Sequence, residues 1–130
     1  MDADVVIICY SISSPRSLDN VVERWLPEVR HFCPRQPIIL SANKLDLRPP
    51  LTSSENPGED DSVVTSPRNS RPQYVSRERG EKVADEIGAL KLIECSAKSR
   101  HGVRDVFLAA ASAAVNSRRH KHKPTNCSIL

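Results

Sequence analysis

Between Asp4 and Ile12 the chain reads Asp-Val-Val-Ile-Ile-Cys-Tyr-Ser-Ile, a nearly unbroken apolar and β-branched run. Such a run predicts a strand buried on both faces, of the kind found in parallel sheets. The period then changes. Ser13 and Ser14 precede Pro15, a cap-plus-proline helix start. Leu18, Val21, Val22, Trp25, Val29 and Phe32 follow at spacings of three and four, one apolar face of a helix. Pro27 falls inside that face and should kink or restart the helix, and Pro34 ends it.

Pro37-Ile-Ile-Leu40 predicts a second short buried strand running into Ser41-Ala-Asn-Lys-Leu-Asp46. Ser76 is a plausible N-cap for a helix from Arg77 to Ile87, with Gly88 as its stop. Leu90-Lys-Leu-Ile-Glu-Cys95 predicts a third strand, followed by Ser96-Ala-Lys98. Gly102 opens a last helix with Val103, Val106, Phe107, Ala110 and Ala114 on one side. Alternation of strands and helices predicts an α/β fold, a parallel sheet covered in three layers. Ligands of such sheets bind beyond the carboxyl ends of the strands. Asn43–Asp46 and Ser96–Lys98 both follow strand ends, so the two loops are expected to line one crevice.

From Arg48 to Pro72 the period disappears. Pro49, Pro50, Pro57, Pro67 and Pro72 fall here, half of the 10 prolines, among several serines. That composition predicts a long loop without regular structure. The expected organisation is therefore four segments. Residues 1–47 and 76–116 form one domain interrupted by a Pro/Ser-rich insert at 48–75, and 117–130 form a tail.

Length and charge narrow the classes. A chain of 130 residues supports one domain rather than two. Its longest apolar runs are far too short to span a membrane, and Asp2 and Asp4 near Met1 disfavour a secretory leader. Without one, Cys9, Cys33, Cys95 and Cys127 read as reduced thiols, with Cys9 and Cys95 as small core residues. Arg118, Arg119, Lys121 and Lys123 carry four positive charges at the end of a chain whose net charge is only +3, so the body is nearly neutral. A local basic tail points to an anionic surface, either a membrane leaflet or nucleic acid. No aromatic residue interleaves these basic residues, which disfavours stacking on bases and hence nucleic acid.

Two motifs carry the chemistry. Asn43-Lys-Leu-Asp46 and Glu94-Cys-Ser-Ala-Lys98 together resemble the two guanine-recognition motifs of Ras-superfamily GTPases. Three further stretches resemble the Rho branch of that superfamily: the apolar run from Asp4, Trp25-Leu-Pro-Glu-Val-Arg-His-Phe-Cys-Pro34, and Asp46-Leu-Arg48. The resemblance implies the parallel sheet of the P-loop NTPase type and a chain that binds GTP and GDP. It makes Asp46 the base reader, because a carboxylate accepts from the adjacent N1–H and N2–H of guanine and opposes the N1 lone pair of adenine. It gives Asn43 a place at the base edge, Lys44 a stem over one ring face, and the Ala97 N–H a bond to the guanine carbonyl. Ser96 and Lys98 would shape that turn. The bland alternative is that Asn43 and Asp46 only cap a loop. Ala42 stands where the family often has glycine, a small departure that could crowd the base.

The phosphate half of such a site is missing. A P-loop needs G-x-x-x-x-G-K-[ST], and Gly58, Gly80, Gly88 and Gly102 are spaced too far apart to supply it. No D-x-x-G follows a strand for magnesium and the γ-phosphate either, since Asp85-Glu-Ile-Gly88 lies at the end of the predicted helix. No catalytic residue and no metal ligand is therefore assigned, and Mg2+, which the family uses, finds no ligands here. The sheet is expected to be incomplete at its N-terminal side, as in a truncated chain, and this chain alone is expected to be inactive.

The tail completes the reading. Cys127-Ser-Ile-Leu130 is a C-a-a-X ending that points to geranylgeranyl transfer onto Cys127. One lipid chain anchors weakly, and the basic run supplies a second signal. A merely solvated tail is the alternative. The resemblance places such a protein at the cytoplasmic face of membranes, the plasma membrane first, with a cytosolic pool. It implies exchange factors, GTPase-activating proteins, a dissociation inhibitor and effectors as partners. A non-catalytic, membrane-anchored module that binds partners is the rival reading.

Overall fold

The computed structural model describes residues 3–49 and 74–121, the last three as backbone only. Most of the insert, and Lys123 and Cys127 of the tail, lie outside the described residues.

Among the described residues three parallel strands form the sheet in the order β1-β2-β3: β1 (Val6–Ser11), β2 (Ile38–Asn43) and β3 (Lys91–Glu94). The register runs from Val6 opposite Ile38 to Ser11 opposite Asn43, and from Ile39 opposite Lys91 to Ala42 opposite Glu94. The strand β2 is central and buried along nearly its whole length, as its apolar sequence requires.

Helices cover both faces, which gives the expected three-layer α/β architecture. On one face pack α1 (Pro15–Asn20), α2 (Leu26–Phe32) and α3 (Arg77–Glu86). Their core comprises Ile8, Tyr10, Ile12, Leu18, Val21, Leu40, Ala84 and Ile87. On the other face α4 (Val103–Lys121) sets Val106, Ala110 and Ala113 against Ile39 and Ile93. Caps follow the sequence: Ser14 Oγ accepts from the Ser17 N–H, and Ser76 Oγ from the Arg79 N–H. Gly80 lies in α3 directly over the Tyr10 ring, where any β-carbon would collide with the hydroxyl.

Several expectations fail for identifiable reasons. The strand β1 is not buried on both faces. Ile8 and Tyr10 are buried but Cys9 is exposed, so Cys9 is no core residue, unlike Cys95. The cause is coverage: α4 lies over β2 and β3, and among the described residues β1 has a single neighbouring strand.

The long apolar helix face also breaks. Residues Val21–Trp25 form a π turn in which the Leu26 N–H bonds to the Val21 carbonyl, and Pro27 then opens α2. Proline supplies no N–H and clashes one turn back, so the chain widens there. Val22 and Val29 face inward as expected, partly buried, but Leu26 and the buried Cys33 take the inward places expected of Trp25 and Phe32, one position on. Trp25 and Phe32 are left 40% and 57% exposed. Phe107 is likewise 65% exposed rather than part of the α4 core.

Candidate functional site

Asn43 ends β2, and the chain turns sharply after it. Lys44 adopts the left-handed conformation (φ 63°), which brings Leu45–Leu47 round as one 3-10 turn. The turn is tied sideways to the next loop by the Leu45 N–H, 3.0 Å from the Cys95 carbonyl. The second loop closes through the Ser96 N–H, 2.9 Å from the His101 carbonyl, with Arg100 and Gly102 both at positive φ.

Between the loops side chains meet. Ser96 is fully buried; its Oγ donates to Asp46 Oδ1 at 2.5 Å and accepts from the Ser99 N–H at 3.2 Å. This bond leaves the other carboxylate oxygen of Asp46 with its acceptor sites. Asn43 Oδ1 accepts from Ser41 Oγ at 2.8 Å and from Cys95 Sγ at 3.2 Å. A cleft of about 640 Å3 opens in front of these groups, lined by Asn43, Lys44, Asp46, Ala97 and Lys98. Its remaining walls are largely apolar: Ile7 and Cys9 from β1, Leu47, and Val103, Val106 and Phe107 from α4. Of the six residues singled out for the base, five thus face one cleft and Ser96 stands behind Asp46 as its support. Ala42 does not crowd this cleft. Its methyl is buried in the core on the opposite face of the sheet, since neighbouring strand residues point to opposite sides.

Behind the loops lies a second polar layer that the sequence reading missed. Arg48 Nη2 donates to Glu94 Oε1 at 2.6 Å and to the Val75 carbonyl at 2.9 Å, and Arg77 Nη1 is 3.6 Å from Glu94 Oε2. The pair joins the residue that opens one motif to a residue just after the other. Opposite charges at those two places were the available signal. Tyr10 lies beside this pair; burial, and then the Glu94 carboxylate, push its phenol up to about 12, against the pull of Arg48.

Among the described residues no group of three or more His, Cys, Asp or Glu side chains stands ready to hold a metal ion. At the tail, α4 continues to Lys121 and therefore carries Arg118, Arg119 and Lys121 on a helix. Arg118 Nε donates to Asp4 Oδ2 at 3.0 Å, and this partner holds the guanidinium above its usual pKa. Arg118 thus faces the N-terminal end of the sheet rather than standing alone. No helix among the described residues is long and apolar enough to cross a membrane.

Known proteins match the same stretch. The family model described as "Ras family" covers residues 1–116, stopping where the basic tail begins. A GTP-binding protein RHO1 of Candida albicans is 43% identical over 129 residues, 99% of this chain and 60% of its own length. A GTP-binding protein Rho1 of Kluyveromyces lactis is 47% identical over 123 residues, 95% of this chain and 54% of its own. The chain thus spans somewhat more than half the length of these relatives. The chain belongs to the Ras family of small GTPases, and its similarity to the two Rho1 proteins agrees with the Rho branch.

Proposed function

We propose that the cleft between the two loops binds the base of a guanine nucleotide, GTP or GDP. The observation that carries this reading is the Ser96–Asp46 bond, which holds one carboxylate at the cleft that Ala97 also lines, at the carboxyl ends of β2 and β3. Asp46 accepts from N1–H and N2–H of guanine, and adenine places a lone pair there instead. Hydrogen bonds to a charged group are worth roughly 1.5–3 kcal/mol, and leaving one unmade costs similarly. The Lys44 stem covers a ring face, and Asn43 meets the base edge.

The relatives, whose names state GTP binding, are longer than the stretch they share with this chain. We therefore assign GTP hydrolysis, as a membrane-associated signalling switch answering to exchange factors, activating proteins, a dissociation inhibitor and effectors, to a protein carrying both halves. Magnesium bound with the nucleotide would there screen phosphate charge, and no residue described here is assigned to it. The 130-residue chain by itself holds a base without holding phosphates, and it turns nothing over. Prenylation of Cys127, with Arg119, Lys121 and Lys123 and with Arg118 once released from Asp4, attaches the protein to an anionic membrane. That places it at the cytoplasmic face of the plasma membrane, with a cytosolic pool.

Calorimetric titration with GTP and magnesium tests the reading. Weak binding is expected, with GMP, GDP and GTP alike because only the base is held. Sub-micromolar affinity for GTP would overturn the claim that phosphate contacts are missing. Equal affinity for AMP and GMP would overturn the guanine assignment.

A further inference from the structure

The Val6 N–H donates to the Pro37 carbonyl and the Ile12 N–H to the Asn43 carbonyl, both at 2.9 Å. Alternate residues from Val6 to Ile12 thus turn their backbone groups toward β2, and Ile7, Cys9 and Ser11 turn theirs the other way. Ser11 is occupied on that side. Its N–H is 2.9 Å from Ser17 Oγ, and its carbonyl accepts from the Ser14 N–H at 3.0 Å. Ile7 and Cys9 remain, on an edge of β1 that no second strand covers among the described residues. Val6–Ser11 holds no charge, no proline and no glycine, the devices that usually guard such an edge. The opposite edge of the sheet is better guarded, since β3 has only 4 residues and carries the exposed Lys91. The open edge also continues into an apolar surface. Cys9 is exposed, Ile7 packs partly against the α4 core, and Phe107 beside them is 65% exposed.

We propose that two copies of the 130-residue chain pair through this edge, β1 against β1 and antiparallel, joining their sheets into one. A second copy is the fitting occupant because the edge is complementary to itself. With a two-fold axis beside Ile8, Ile7 of each copy lies opposite Cys9 of the other. Residues that face each other in this way in an antiparallel ladder exchange both of their N–H···O=C bonds. Every backbone group that Ile7 and Cys9 turn outward is then satisfied by the same two residues of the other copy. The pairing stops where Ser11 is already engaged. Directly opposed residues also share a face of the sheet, so the Ile7 and Cys9 side chains of both copies cluster on the α4 side and cover the exposed thiols. A contact of this kind uses the same patch on both partners and closes at two copies. It needs no nucleotide, so it stands apart from the guanine reading of the cleft.

The test is analytical ultracentrifugation of the full 130-residue chain carrying Cys127→Ser, from micromolar to millimolar concentration under reducing conditions. A monomer–dimer equilibrium is expected, with nothing larger. Cys9→Lys sets a charge on the edge, and the dimer should dissociate about 10-fold or more readily. Cys9→Ser, close in size to the parent residue, should dimerise like the parent. The Cys9 side chain is exposed, so both variants should keep the parent's circular dichroism. Cross-linking reads the register without relying on either variant. Opposed residues of such a pair have Cα atoms about 5.5 Å apart, within reach of a disulfide. Ile7→Cys should therefore form a covalent dimer with the native Cys9 on mild oxidation, and Ile7→Cys combined with Cys9→Ser should not. A parent chain that stays monomeric at millimolar concentration would overturn the proposal, as would species larger than two copies. A dimer indifferent to Cys9→Lys would place the contact on another surface and overturn it too. Cross-linking of Ile7→Cys that persists without Cys9 would overturn the pairing of Ile7 with Cys9.

Discussion

Ser96 Oγ and Asp46 Oδ1 stand 2.5 Å apart although 50 residues separate them in the chain. The bond makes one unit of two loops. It engages only Oδ1 of Asp46, which lines the cleft. Replacing Ser96 by Ala removes a bond to a charged acceptor and leaves the Ser99 N–H without its partner. GMP binding is expected to fall about 10-fold or more, by the roughly 1.5–3 kcal/mol such a bond is worth. Titration followed by NMR measures this, and near-UV circular dichroism should stay close to that of the parent, because the change deletes a single buried oxygen.

Arg48 and Glu94 form a further tie between the loops, with side chains only 23% and 10% exposed. A pair this sheltered costs little when both members go and more when one goes, because Glu94 then keeps only the longer contact to the exposed Arg77, at 3.6 Å. Arg48→Met is expected to lower unfolding free energy by about 3 kcal/mol, and the double change Arg48→Met with Glu94→Met to recover a good part of it. Urea unfolding of the three proteins measures the coupling. Additive losses would show that the two residues act separately.

Much of this was legible in the sequence because it is local. The Ser14 and Ser76 caps, the stop at Gly88 and the three strands each follow from a few adjacent residues. Asn43, Lys44 and Asp46 could be placed together with Ala97 and Lys98 because strand ends in a parallel sheet converge on one side. What escaped depends on partners far away in sequence. Cys9 and Ile8 look equivalent in an apolar run, and only the position of α4 decides that Cys9 is exposed. Trp25 and Phe32 fit the helical period until the π turn before Pro27 shifts it by one residue.

Gly102 and Gly88 share a positive φ, 69° and 67°, yet they differ in surroundings. A β-carbon on Gly102 would stand 2.3 Å from the Glu94 carbonyl oxygen, at the base of the loop that carries Ser96 and Ala97. One on Gly88 would meet only the far end of the Arg30 side chain, at 3.8 Å. Gly88→Ala should therefore cost about 1 kcal/mol, the strain of a left-handed alanine. Gly102→Ala adds a collision with backbone and should cost more than twice as much, roughly 2–4 kcal/mol. Thermal unfolding of the two variants ranks them. Gly102→Ala should also shift the Ser96 and Ala97 amide resonances, which Gly88→Ala leaves in place.

Tyr10 gives the fold an alkaline limit. Its hydroxyl is buried without a hydrogen-bond partner among the described residues, and its pKa is pushed up to about 12 by burial and by Glu94, with Arg48 opposing. An unfolded tyrosine ionises near 10. Between those values the native chain keeps a proton that the unfolded chain has released. The unfolded state is then favoured as pH rises. Stability from this group is complete below about pH 10 and is lost progressively up to about pH 12, by at most about 2.5 kcal/mol. Tyr10→Phe removes the ionisation and an unpaired hydroxyl together. It should be as stable as the parent or slightly more so at about pH 8, and clearly more stable at about pH 11.5. All other titrating groups are common to both proteins, so the difference in urea midpoint isolates Tyr10. A gap that stays constant between the two pH values would show that the phenol ionises equally easily in the folded and unfolded chain.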